Sequence, residues 1–146
     1  MMYENNILPK YGHLDPQKWR ENRYWNEEID NLFKSHFPIF DYLFKKYGSN
    51  HMKPGDMKPF MMADEFENIW MTAGLVCPEL GVRDIAICFS TAMMTQTDEV
   101  NNDKHLKAFF VEFIEAFARC CDRISIAPIL DLEVIIIVEI ILLEWR

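Results

Sequence analysis

The sequence has little of what marks most catalytic, phosphate-binding or secreted chains. Its five glycines are solitary, so no glycine-rich phosphate loop can be read from it. Its four histidines, His13, His36, His51 and His105, are scattered without an H-x-x-x-H spacing, and no Ser or Cys nucleophile signature surrounds them. Catalysis therefore has no positive support, and a non-enzymatic protein is expected. The four cysteines, Cys77, Cys88, Cys120 and Cys121, lack a C-x-x-C spacing, and the adjacent pair cannot bridge to itself without strain. Reduced, buried thiols in a cytoplasmic setting are the expectation. Net positive charge is missing too: the formal charge is −8, with +1 on residues 1–62, −5 on 63–110 and −4 on 111–146. Nucleic acid is excluded as a partner, because phosphate binding needs a clustered basic face. Met1-Met2-Tyr3-Glu4-Asn5-Asn6 has no basic region followed by an apolar one, so no secretory signal is expected. The run Ile124–Leu143 has the length of a membrane span but carries Asp131, Glu133 and Glu139. At about 2.5 kcal/mol or more for a charge near the bilayer centre, it is not expected to be transmembrane.

What is present is helical patterning in a chain of 146 residues that is half apolar, enough for one domain with a single core. Asp15-Pro16 reads as an N-cap followed by a first-turn proline, and Trp19, Trp25, Ile29, Leu32 and Phe33 predict one helix over about 16–34. Pro38 restarts the chain, and Ile39, Phe40, Leu43, Phe44 and Tyr47 predict a second helix stopping at Gly48. Residues 49–59, with Pro54, Gly55 and Pro59, read as a loop. Phe66, Ile69, Trp70 and Ala73 share a face of a third helix beginning near Asp64 and ending at Gly74. Ile85, Cys88, Phe89, Ala92 and Met93 define a fourth, ending near Thr95. Phe110, Phe113, Ile114, Phe117 and Cys121 define a fifth over about 109–122. Beyond Pro128, nine of the ten residues Val134–Leu143 are apolar. A buried helix is expected there, since a lone strand would have nothing to pair with.

Two segments repeat a local pattern: Phe60-Met61-Met62-Ala63-Asp64-Glu65-Phe66 and Ala108-Phe109-Phe110-Val111-Glu112-Phe113. Each resembles the second half of an EF-hand, in which a bridging residue is followed four positions later by a bidentate Glu and then a core Phe. With Phe40, Leu43 and Phe44 in one preceding helix and Ile85, Cys88 and Phe89 in the other, the resemblance spans about residues 38–122. It implies an all-α fold: a divergent EF-hand pair of the calmodulin superfamily, flanked by an N-terminal helical extension (1–37) and an apolar C-terminal segment (123–146). Lys58-Pro59-Phe60-Met61, Cys88-Phe89, Met93-Met94-Thr95-Gln96 and Glu112-Phe113-Ile114-Glu115-Ala116 are also similar to EF-hand-like proteins of ciliated and flagellated protists. That similarity implies a module binding protein partners in a larger cytoskeletal assembly, at the cilium and axoneme or the cortical cytoskeleton.

The calcium chemistry does not follow the pattern. An EF loop supplies oxygens from positions 1, 3, 5, 7, 9 and 12, with Gly at 6. Counting back from Glu112 puts Asn101, Asp103 and His105 at positions 1, 3 and 5 and Leu106 where Gly belongs, so Asp103 and Glu112 are only weak metal candidates. Counting back from Glu65 gives Pro54, Asp56 and Lys58, with an ammonium at a ligand position. Phe66 and Phe113 are 47 residues apart, longer than the repeat of paired EF-hands, which points to an insertion in the second loop. No cofactor is therefore expected. The rival readings are a calcium-binding sensor of calmodulin type and an unrecognised enzyme.

If the two units pair, Met61 should lie against Phe109 or its neighbour, and Phe66 and Phe113 should share one core. Glu112 and Glu115 are expected in solvent. The methionine pairs read mainly as core filler, with Met93 and Met94 retained as candidate partner contacts beside Ile137, Ile141 and Trp145 on the C-terminal run. That run is expected to leave the domain at Pro128 and anchor a neighbouring subunit.

Overall fold

The computed structural model describes residues 15–94 and 103–124, and the described residues are all-α. Six α-helices occur in the order α1 (Pro16–Trp19), α2 (Glu27–Ser35), α3 (Phe37–Tyr47), α4 (Ala63–Thr72), α5 (Val82–Ala92) and α6 (Phe110–Ile124). A π-helical turn, Arg20–Tyr24, continues α1, and Lys104–Leu106 forms a 3-10 turn. The expected single helix over 16–34 is thus two. Trp25 donates its backbone N–H to the Arg20 carbonyl, five residues back, and the chain then becomes extended at Asn26. The Asn26 side chain accepts the Ile29 N–H at 2.9 Å and starts a new helix whose first turn holds Glu27, Glu28 and Asp30, the sign the N-terminal dipole favours.

The other boundaries follow their caps. Asp15 accepts the Gln17 and Lys18 N–H groups at 3.0 and 3.4 Å, opening α1. Gly48 ends α3 through its N–H to the Phe44 carbonyl, but with extended backbone rather than a left-handed turn. Glycine is needed there for room, since a Cβ would stand 2.6 Å from the Phe44 carbonyl oxygen. Gly74, at φ +68°, takes the left-handed conformation after α4. Helix α5 stops at Ala92, three residues before the expected end.

Helix α6 is the centre of the molecule. It packs along α5 and against α3, while α4 lies on α3 and α5. Phe113 and Phe117 of α6 meet Phe40 of α3 at 6.4 and 5.2 Å between ring centroids, and Phe117 lies 4.9 Å from the Trp70 ring. Phe66 contacts Phe113 at 6.1 Å and Phe89 at 5.6 Å, so the helices that carry the two Glu-Phe segments share one core. Met61 and Ala108, the residue before Phe109, form an isolated antiparallel bridge with N–H···O distances of 2.8 and 2.9 Å. Ile29 and Phe33 join this core, so α2 is part of it although it precedes residue 38. None of the four cysteines is in a disulfide, and three of them are buried.

The acidic pair on α6 corrects the sequence expectation. Glu112 and Glu115 are both buried, Glu115 to 1% exposure, because guanidinium and amide donors reach them from elsewhere in the chain.

Candidate functional site

Three features stand out from the fold: two carboxylates that close loops, a buried charge cluster, and an open apolar groove. Glu65 and Glu112 hold equivalent places, each the third residue of its helix. Glu65 accepts the Met62 N–H at 2.8 Å on one oxygen and the Asn50 N–H at 2.7 Å on the other. Glu112 accepts the Phe109 N–H at 2.8 Å and the Met94 N–H at 2.9 Å in the same way. Each carboxylate therefore caps its own helix N-terminus and ties it to the chain leaving the preceding helix. Hydrogen bonds to a charged group contribute about 1.5–3 kcal/mol each, so each glutamate helps to close its loop.

Three aspartates of these segments are engaged in local contacts. Asp103 pairs with Lys107 at 3.0 Å on the surface. Asp56 accepts the Lys53 N–H at 2.8 Å, and Asp64 meets His51 at 2.9 Å. Asn101 lies outside the described residues. Among the described residues, no group of three or more His, Cys, Asp or Glu side chains is arranged to hold a metal ion.

The charge cluster fastens the N-terminal helix to α6. Arg20 donates from Nε to both Glu115 oxygens, at 2.8 and 3.0 Å, and its guanidinium also reaches the Ala92 carbonyl at 3.3 Å. Arg119, one turn along α6, donates to Glu115 at 3.0 and 2.9 Å and to the Pro16 carbonyl at 3.0 Å. Its guanidinium stacks over the Trp19 ring at 4.1 Å, and the Trp19 indole donates to Asp122 at 2.9 Å. Burial lowers the Arg119 pKa from its ordinary value. Burial and the Glu115 charge push the nearby Tyr24 phenol upward, which keeps it neutral. Nothing in the sequence signalled Arg20 as a core residue. The Glu115–Arg119 spacing of four on a helix was the one visible hint.

Beside this cluster, a groove of about 600 Å³ opens between α2, the start of α3 and the first turns of α6. Ile29 and Phe33 are buried beneath it, and Phe37 meets Phe110 edge-on at 5.3 Å. Its rim exposes Trp25 (56%), Phe37 (49%) and Val111 (62%). Such a volume falls in the range of about 300–1,000 Å³ typical of ligand sites, and clustered aromatics of this kind are characteristic of binding surfaces.

Of the partner residues expected from sequence, neither Met93 nor Met94 lines this groove. Met93 is buried in the core, because it caps the end of α5 against α6, and so is removed as a partner contact. Met94 is exposed, but it is not among the residues lining the groove. Ile137, Ile141 and Trp145 lie outside the described residues. Sequence reasoning treated Trp25 and Phe110 as ordinary stripe residues and did not single out Phe37. Trp25 sits at the helix break, which periodicity smoothed over.

No protein-family model matches the chain, and neither does any curated protein or solved structure. Among the described residues no helix is long and apolar enough to cross a membrane.

Proposed function

We propose that the chain is a non-enzymatic, EF-hand-like module that binds protein partners in a cytoskeletal assembly of the cytoplasm, ciliary, axonemal or cortical, and works without calcium. The observation that carries the reading is the matched use of Glu65 and Glu112, whose four carboxylate oxygens accept four backbone N–H groups. A metal taking either glutamate as a bidentate ligand would compete with both amides for its oxygens. Lys58 and Leu106 at a ligand and a turn position weigh the same way. The Met61–Ala108 bridge and the Phe66–Phe113 contact support the pairing of two helix–loop–helix units. The groove beside Trp25, Phe37 and Phe110 provides an apolar surface of the size a partner side-chain cluster needs.

Two measurements test this. Isothermal titration with calcium is expected to give no saturable heat, and a dissociation constant below about 10 μM, in the sensor range, would replace the proposal with the calcium-sensor reading. Affinity capture from cytoskeletal extract should retain defined proteins on the wild-type chain and lose them on Trp25→Ala/Phe37→Ala. Equal retention by both would remove the groove from partner binding.

A further inference from the structure

We infer that the groove takes a cationic side chain, arginine or lysine, carried by the partner beside an apolar one. This deepens the proposed function and rests on it, since the groove must first be a protein-binding surface.

The lining supplies both halves of a cation site. Tyr24, Trp25, Phe33, Phe37 and Phe110 contribute aromatic rings, and Glu27 and Asp30 contribute carboxylates. Lys34 is the one basic side chain among the lining residues, and it is held by Asp30, one turn before it on α2. Arg23, just ahead of the groove in sequence, is paired with Asp122 at 2.5 Å. Among the described residues no cation pairs with Glu27, and no ring packs on the half-exposed Trp25. The first turn of α2 carries Glu27, Glu28 and Asp30, three negative charges against the half positive charge of a helix N-terminus, so the rim stays acidic.

Desolvation selects the occupant. A partner seated in the groove takes water from Glu27 as well as from Trp25, because both line it. A purely apolar occupant would leave that carboxylate desolvated and unpaired, and an acidic one would add repulsion. An arginine or lysine pairs with the carboxylate and at the same time meets aromatic faces, which attract cations. The chain uses the same combination internally: the Arg119 guanidinium lies 4.1 Å from the Trp19 ring centre while it donates to Glu115 at 3.0 and 2.9 Å. The groove presents a tryptophan and a carboxylate of its own to a cation from outside, and tryptophan and arginine are the residues that dominate binding energy at protein interfaces.

A nuclear magnetic resonance titration of the full-length chain tests this with two blocked hexapeptides, one of alternating leucine and arginine and one with citrulline, the uncharged isostere, in place of arginine. The arginine peptide should shift the Trp25 indole N–H signal, assigned by its loss in Trp25→Phe. It should also bind about tenfold more tightly than the citrulline peptide, through an exposed cation–π contact and an exposed ion pair. Glu27→Gln should weaken the arginine peptide about threefold and leave the citrulline peptide unchanged. Glu79→Gln, at an exposed acid outside the groove, should change neither. Equal affinity of the two peptides, an unmoved Trp25 signal, or equal effects of Glu27→Gln and Glu79→Gln would each overturn the inference. The groove's role in partner binding fails separately, when Trp25→Ala/Phe37→Ala captures the same proteins as the wild-type chain.

Discussion

Replacing Glu115 by Gln isolates the charge that holds α1 to α6. The two side chains have nearly the same shape, so packing is preserved while the counter-charge of two buried guanidiniums is removed. Glu115 accepts four hydrogen bonds from Arg20 and Arg119 at 2.8–3.0 Å. A glutamine keeps one acceptor oxygen and turns an amide donor toward a guanidinium. Breaking a buried ion pair from one side costs about 3–5 kcal/mol, because the remaining charge stays desolvated. Against a total stability of about 5–15 kcal/mol that is a large fraction. With a urea dependence of about 1.5 kcal/mol per molar, the unfolding midpoint should fall by about 2–3 M. Tryptophan fluorescence suits the assay, since Trp19 packs under Arg119 and Trp70 lies in the core. The control is Lys34→Ala, which removes the exposed pair with Asp30, worth about 0.3–0.5 kcal/mol as an i,i+4 contact. If Glu115→Gln moved the midpoint no further than this control, the cluster would not hold the N-terminal helix and the reasoning would fail.

Three further outcomes follow from the structure. Glu65→Ala and Glu112→Ala should each destabilise the fold by about 1–3 kcal/mol through orphaned amides, with or without calcium, and calorimetry in chelator showing no loss for either would refute the capping role. A thiol reagent should label Cys77 quickly in the native protein and all four cysteines after unfolding, because burial shields Cys88, Cys120 and Cys121 and pushes the Cys120 thiol up; rapid native labelling of more than one site would contradict that. The hydrogen bond to Asp64, and then its charge, raise the His51 pKa above its ordinary value. The stabilisation of that contact is thus complete below the unfolded histidine pKa and is lost as pH rises through the folded one. A proton NMR titration should place His51 above free histidine and return it to the ordinary value in Asp64→Asn.

Most of the helices and several of their ends were legible from local chemistry alone. Asp15-Pro16, Gly48 and Gly74 act through their own backbone and nearest neighbours, and the stripes Phe40-Leu43-Phe44 and Phe66-Ile69-Trp70 carry the helical period that burial requires. The Glu-Phe repeat likewise marked two equivalent turns, whose Met61 and Ala108 meet in a bridge. The break at Trp25–Asn26 was hidden because apolar spacing continued smoothly across it, and only the Asn26 cap and the π turn separate the two helices. What Glu112 and Glu115 do was undetermined by sequence, since a carboxylate's environment depends on donors brought from far along the chain. Arg20 lies 95 positions from Glu115, and Met94 lies 18 from Glu112. The groove is likewise a product of tertiary structure, because Trp25, Phe37 and Phe110 become neighbours only when α2 and α3 fold against the first turn of α6.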